Sequence, residues 1–478
     1  MVAKPIAAAR SPRRLAEPLA KPGVIALLKL ISPLYLHGLL GFRSVELRHA
    51  ERLVEAYRAF FSGEARLIVA FRHPYGDEAQ LMAYVIGRLL AREAAVRGVR
   101  YPRAPHAHFV HGYEVPLWGG PFERWLLPRV GAVPVHHTLL DRRSIERIRA
   151  LMRDGAFPLA LAPEGQVSYT SEGLPRLEPG AARICAWCGE DLAAAGRTER
   201  VVILPLSVHH RWDSASEPDL DRLIGRIEGK CGIIPGGAAS EGRAAGDGAA
   251  DSAGAGSAAS GNVVRFRRLN AIADAVLAAA ERHYGRCCGL VPPQPGTAAR
   301  SARLAALREA ALDSAERALR LAPEGDTIAR VYRIRHACWD RIFRADIPDM
   351  KALPDLERSL ADRAAGEAWY ASRHMELVDL AYYLDFDRLK ESDPLSLFVE
   401  TAQNYWDLVS RLEGGNISDR VSLRGRDAEV IVGEPLDAGK ILAASGPGRK
   451  EAVARLSARL EKAYLNCIQE FQEERHHG

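Results

Sequence analysis

Short apolar runs that stop abruptly in polar strings carrying glycine and proline constrain this chain more than any other feature. Ala65–Phe71 (ARLIVAF) runs into Arg72-His73-Pro74-Tyr75-Gly76-Asp77-Glu78, and Phe157–Leu161 (FPLAL) runs into Ala162-Pro163-Glu164-Gly165-Gln166-Val167-Ser168. Runs of this length and composition read as buried strands emptying into loops. A helical pattern follows from Glu78 to Val96. Strand-like Ala107–Val110 then leads into a Gly/Pro/Trp-rich loop. Asp141 stands as a helix cap for Arg142–Arg153, a helix that Gly155 ends, and a helical stretch at 179–195 precedes an apolar strand at 201–207. Strands alternating with helices predict an α/β fold, a mostly parallel sheet covered by helices on both faces. Ligands in such sheets sit beyond the carboxyl ends of the strands, where both polar strings lie.

With 478 residues the chain has material for two or three domains. The pattern changes after residue 212. Residues 235–262 are rich in Gly, Ala and Ser with few large apolar side chains, a composition that predicts a disordered linker. Helical stretches follow near 264–284, 299–321, 326–344, 354–389 and 394–413. Ala428–Leu436 (AEVIVGEPL) is then a β run, and a long helix runs from Lys450 to about Glu474. The expected organisation is a basic and apolar arm over 1–43, an α/β domain over 44–212, an all-α insertion over 213–420, and a return strand and helix over 421–478 that complete the sheet.

A histidine followed about one turn later by a carboxylate is the minimal device for deprotonating a hydroxyl. His73 is the expected base, its ordinary pKa near 6.5 suiting that role at neutral pH. Asp77 is the expected orienting acid, because four residues nearly close one helical turn. Glu78 is the alternative if the motif begins outside the helix.

At these residues the chain resembles the glycerolipid acyltransferases of the lysophosphatidic acid acyltransferase (PlsC-type) superfamily. That family carries His-x4-Asp after one strand and Pro-Glu-Gly after a later one. Here the His motif is one residue shorter to Asp77, with Glu78 at the family's carboxylate position by count. Pro163-Glu164-Gly165 supplies the second motif, and Gly131–Val135 and Val201–Leu206 resemble two further blocks in the same order. The resemblance implies transfer of a fatty acyl group from acyl-CoA or acyl carrier protein to a lysolipid hydroxyl, with no metal and no tightly bound cofactor. It implies that Glu164, Gly165, Pro163 and Ser168 contact the acceptor. His136 and His137 stand where relatives with phosphate-monoester acceptors carry an arginine, and Val167 stands where they carry another. Both departures point away from a bare lysophosphatidate acceptor. Two rival readings are a hydrolase using water, without a G-x-S-x-G nucleophile elbow, and a catalytically inactive lipid-binding or scaffold protein.

Charge and hydropathy add a location. A net charge of +5 with no basic-aromatic motif argues against nucleic acid. The positive charge gathers at the start, where Lys4, Arg10, Arg13, Arg14 and Lys21 face only Glu17. Near an anionic lipid surface each such charge contributes about 1 kcal/mol. Val24–Leu40 is apolar but broken by Lys29, Pro33 and His37, which predicts a pair of short helices in the membrane interface rather than a span. The expected location is peripheral, on the cytoplasmic face. Seven cysteines lack a disulfide framework, and Cys185 with Cys188 reads as helix packing rather than a metal site. His106, His108 and His111 lack a carboxylate or cysteine partner, so they too read as structural.

Overall fold

The computed structural model describes residues 7–11, 17–136, 141–233, 255–289, 299–415, 420–444 and 448–477. The chain divides into two compact units, Met1–Arg14 with Trp212–Leu423, and Leu15–Arg211 with Arg424–Gly478. Lys4, Arg13, Arg14, His137 and most of the expected linker (235–254) lie outside the described residues.

The second unit is built on a mostly parallel, mixed sheet of eight strands: β1 Phe42–Arg48, β2 Ala65–Phe71, β3 His108–Gly112, β4 Val133–Val135, β5 Leu159–Leu161, β6 Arg200–Arg211, β7 Arg426–Val432 and β8 Leu436–Asp437. Their order is β1-β7-β6-β2-β5-β3-β4, with β8 beside β6. The five strands from β6 to β4 run parallel to their neighbours; β7 and β8 run antiparallel to β6, and β1 runs parallel to β7. The return strand expected at 428–436 therefore takes an inner place in the sheet, and β1, which the apolar pattern does not announce, forms the edge beyond it.

Period-two alternation sends β2 side chains to two cores. Leu67, Val69 and Phe71 pack with helices 50–61 and 78–96 on one face. Ile68 and Ala70 pack with Met152, Cys185, Cys188 and Tyr464 on the other. Both cysteines are buried in that second core, which holds the Cys185 thiol well above its ordinary range and pushes Cys188 up to about 11. The Asp141 side chain accepts a hydrogen bond from the Arg143 N–H and caps helix Arg142–Asp154 as expected.

The arm differs from its expectation. Pro22–Pro33 continues directly into a π-helical turn at Leu34–Leu39, so Pro33 does not divide it into two helices. Proline lacks the N–H that would bond the Lys29 carbonyl. Ser32 Oγ (3.0 Å) and Arg88 Nη1 (3.1 Å) donate to that carbonyl instead. The Lys29 ammonium, the charge that interrupts the apolar run, donates to the Pro105 carbonyl, and burial lowers its pKa to about 8. Among the described residues Pro22–Leu39 is the one helix long and apolar enough to cross a membrane, and only 11% of it is buried.

In the first unit, helices Glu217–Cys231, Ala255–Cys288, Arg300–Leu319, Thr327–Ile342, Asp355–Ala381 and Leu395–Leu412 follow one another without an intervening strand among the described residues. Helix Ala255–Cys288 begins inside the stretch read as linker, so residues 255–262 are helical and not disordered. The expected arm is also not one piece. Arg10 pairs by backbone hydrogen bonds with Ile342 and Arg344, and the Ala9 N–H donates to Asp362, so residues 7–11 belong to the helical unit.

Candidate active site

The site lies at the carboxyl ends of β2 and β5, and its foundation is a buried ion pair. Arg72, directly after β2, is fully buried. Its Nε donates to Glu164 Oε1 at 2.9 Å, and its Nη groups donate to the carbonyls of Ser171 (2.7 Å), Thr170 (2.9 Å) and Gly173. The other Glu164 oxygen accepts the His73 N–H at 3.2 Å. A buried charge is tolerated when its hydrogen-bonding capacity is met, and here both partners are engaged. The carboxylate of Glu164 thus holds two strand ends together and faces inward. The expectation that it meets acceptor hydroxyls is not what the geometry gives, because a buried carboxylate already bonded at both oxygens presents nothing to solvent.

The His73–Glu78 turn corrects a second expectation. His73 Nδ1 lies 2.7 Å from Glu78 Oε2. Glu78 also accepts the N–H groups of Tyr75 and Gly76, both at 2.8 Å. Residues 73–77 are not helical, and the helix starts only at Glu78. The four-residue return of a helix therefore does not apply, and the fifth residue comes round to the imidazole. Gly76 makes the turn possible, with φ at +102°, a conformation costly to any side chain. Asp77 points elsewhere, into an ion pair with Arg426, the first residue of β7. That guanidinium sits 3.8 Å above the Phe42 ring.

These contacts set the electrostatics. Burial alone lowers the pKa of an imidazole, but the hydrogen bond and charge of Glu78, with smaller contributions from Glu164 and Asp77, carry His73 above its ordinary value. Burial opposes ionisation of Glu78, yet His210 and His73 hold its carboxyl well below the usual range. His210 stands edge-on to Tyr75 at 4.5 Å with its Nε2 3.7 Å from Glu78 Oε1, and burial lowers its pKa. The arrangement is a carboxylate that fixes one ring nitrogen of His73 as a donor. The side chain remains 21% exposed. An imidazole held this way presents Nε2 as a proton acceptor.

The remaining expected site residues fall around this turn or away from it. The Ser168 N–H donates to the His73 carbonyl at 3.0 Å, so the Pro-Glu-Gly loop braces the His turn, while the Ser168 side chain is buried. Pro163 is buried with its carbonyl accepting from the Glu178 N–H, and Gly165 takes φ +76° at the loop's bend. His136, just past β4, stacks on Tyr113 at 4.0 Å. His106 and His108 bond the carbonyls of Val130 (2.7 Å) and Gly131 (2.9 Å), and burial takes His106 down to about 4. Both are pins for a turn.

Asp77, Glu78 and His210 bring ligand-type atoms within 4.8 Å of one another. The Arg426 guanidinium balances Asp77, and three donors engage Glu78, so we assign the trio to the hydrogen-bonding network. Sequence reasoning missed Arg72, His210 and Arg426. His209-His210-Arg211 at the end of a long apolar strand is a signal for His210. Nothing local marks Arg426, which reaches the turn only through sheet pairing.

No protein-family model matches this chain, and no curated protein matches it.

Proposed function

We propose that the chain is an O-acyltransferase that moves a fatty acyl group from acyl-CoA or acyl carrier protein to a hydroxyl of a lysolipid at a membrane surface. The observation that carries the reading is the 2.7 Å pairing of His73 Nδ1 with a buried Glu78 at the carboxyl edge of a parallel sheet, which leaves the opposite ring nitrogen as base. The four motif blocks in PlsC-type order support it, as does the mostly exposed apolar helix that precedes the sheet.

In this mechanism His73 Nε2 takes the proton of the acceptor hydroxyl as its oxygen attacks the thioester carbonyl. The tetrahedral intermediate collapses, the C–S bond breaks, and the departing sulfur takes the proton from the imidazolium. Glu78 keeps the tautomer and stabilises the transient cation; it does not itself take the proton. No metal and no tightly bound cofactor takes part. Arg72 and Glu164 hold the two strand ends in register beneath the turn.

Substitution His73→Ala tests the chemistry. Thioester consumption is followed with a panel of lysolipids, and the variant is expected to lose about 10²–10⁴ of the rate, the usual worth of a positioned base, with its circular dichroism unchanged. Full activity in the variant removes the mechanism. Release of free fatty acid by the parent protein, without transfer, turns the reading to a hydrolase.

A further inference from the structure

Helix Gly120–Arg129 follows β3 from the same carboxyl edge that carries His73, and not one of its residues is buried. Phe122 and Trp125 are 62% and 45% exposed and stack on each other at 6.1 Å. Glu123 and Leu126–Arg129 are half-buried, but among the described residues nothing covers the face that carries the two aromatics. The helix is nevertheless fixed in place, because the N–H groups of Leu19 and Lys21 donate to the carbonyls of Pro128 and Arg129, each at 2.7 Å. These bonds join it to the start of the apolar arm.

The arm shows a matching face. Leu27, Leu30, Ile31 and Leu34 recur at i, i+3, i+4 and i+7, and all four are exposed. The arm enters the sheet at β1, whose first residue pairs with Arg426. In the arm, burial first and then the negative charges of Glu123 and Asp77 raise the pKa of Tyr35. Cations accompany the apolar groups. Arg129 lies over the Trp125 ring at 4.8 Å, Lys21 opens the arm, and Arg124 is exposed between the two aromatics.

We propose that helix 120–129 is a second lipid-contacting element, and that Phe122 and Trp125 with the Leu27–Leu34 stripe seat the catalytic unit on an anionic bilayer beside the site. The proposal rests on the interfacial reading of the arm and extends it to a helix that shows no transmembrane or signal pattern. An aromatic pair flanked by arginine and lysine has the composition of a membrane-interface anchor. Anionic headgroups complement Lys21, Arg124 and Arg129.

The test is flotation of the full chain with two kinds of vesicle, phosphatidylcholine alone and an equal mixture with phosphatidylglycerol. The parent is expected to bind the mixed vesicles and to bind the neutral ones more weakly. The double variant Phe122→Ser with Trp125→Ser is expected to lose tenfold or more of its partition onto mixed vesicles, with an unchanged thermal melt because neither side chain is buried in the fold. The variant Leu30→Ser with Leu34→Ser reports the arm separately. Undiminished binding of the Phe122/Trp125 variant overturns the proposal, and if the arm variant alone loses binding, the interfacial reading of the arm survives it. Failure of the parent to bind either vesicle sinks both. A parent dimer that the Phe122/Trp125 substitutions dissociate, with vesicle binding intact, assigns the face to a second copy and equally overturns the proposal.

Discussion

Replacing Glu78 by glutamine separates the geometry found here from the one the motif spacing favours. The carboxylate is fully buried and accepts from His73 Nδ1, Tyr75 N–H and Gly76 N–H at 2.7–2.8 Å. An amide keeps one acceptor oxygen and presents an NH₂ group where the other stood, so at least one of three buried donors loses its partner. A hydrogen bond to a charged group contributes about 1.5–3 kcal/mol. Losing that interaction destabilises the imidazolium and lowers the His73 pKa. The direction follows from the charges. With Glu78 ionised, His73 titrates above its ordinary value; with that charge gone, burial is opposed only by Glu164 and Asp77, and the pKa is expected to fall. Activity needs the neutral ring, so in the parent it falls as pH drops through the raised pKa, and in Glu78→Gln that acid limb moves to lower pH. The plateau rate falls as well, by about 10²–10⁴, because the tautomer is no longer enforced. The assay is the pH profile of kcat/KM for thioester consumption. Asp77→Asn is the control, since Asp77 faces Arg426 and not the ring. If Asp77→Asn moves the limb as far as Glu78→Gln, or if Glu78→Gln leaves both limb and plateau in place, the assignment of Glu78 is wrong.

Other consequences follow from the same contacts. Arg72→Met leaves Glu164 as an uncompensated buried charge and is expected to cost about 3–5 kcal/mol of stability, read as the midpoint of urea unfolding; a change below 1 kcal/mol refutes the tether. Gly76→Ala places its Cβ in ordinary van der Waals contact with Val167 Cγ2 at 3.7 Å, but the +102° backbone angle costs about 1–3 kcal/mol. It is therefore expected to lower activity more than the thermal melt, by disturbing the N–H that Glu78 accepts. In stability, the Glu78 ionisation contributes fully above the ordinary carboxyl range and is lost as pH falls through its depressed pKa. The His73–Glu78 contribution of the charged ring is present below pH 6.5 and fades as pH rises through the raised His73 value. Acid and alkaline unfolding midpoints of Glu78→Gln against the parent check both limbs; identical midpoints refute the coupling.

Local sequence carried the elements and tertiary pairing carried their assignment. An apolar run ending in Gly/Pro-bearing polar residues is a property of a few adjacent side chains, so β2, β5, β6 and β7 were readable, as were the Asp141 cap and the burial of Cys185 and Cys188. The place of His73 at a strand's carboxyl end was readable for the same reason. Helix continuity past Pro33 was not, because it depends on Ser32 and Arg88 reaching a carbonyl that proline leaves unbonded. The choice between Asp77 and Glu78 was not readable either. It turns on where the helix begins and on Arg426, 349 residues away, drawing Asp77 aside. Glu164 was found as a motif residue, but its inward role depends on the Arg72 guanidinium that β2 and β5 bring together. Sequence thus determined the strands that carry the site and the residues that can carry a proton, though not the edge strand β1. Only the folded sheet decided which carboxylate meets the imidazole, because that contact is made between chain segments whose separation no local pattern records.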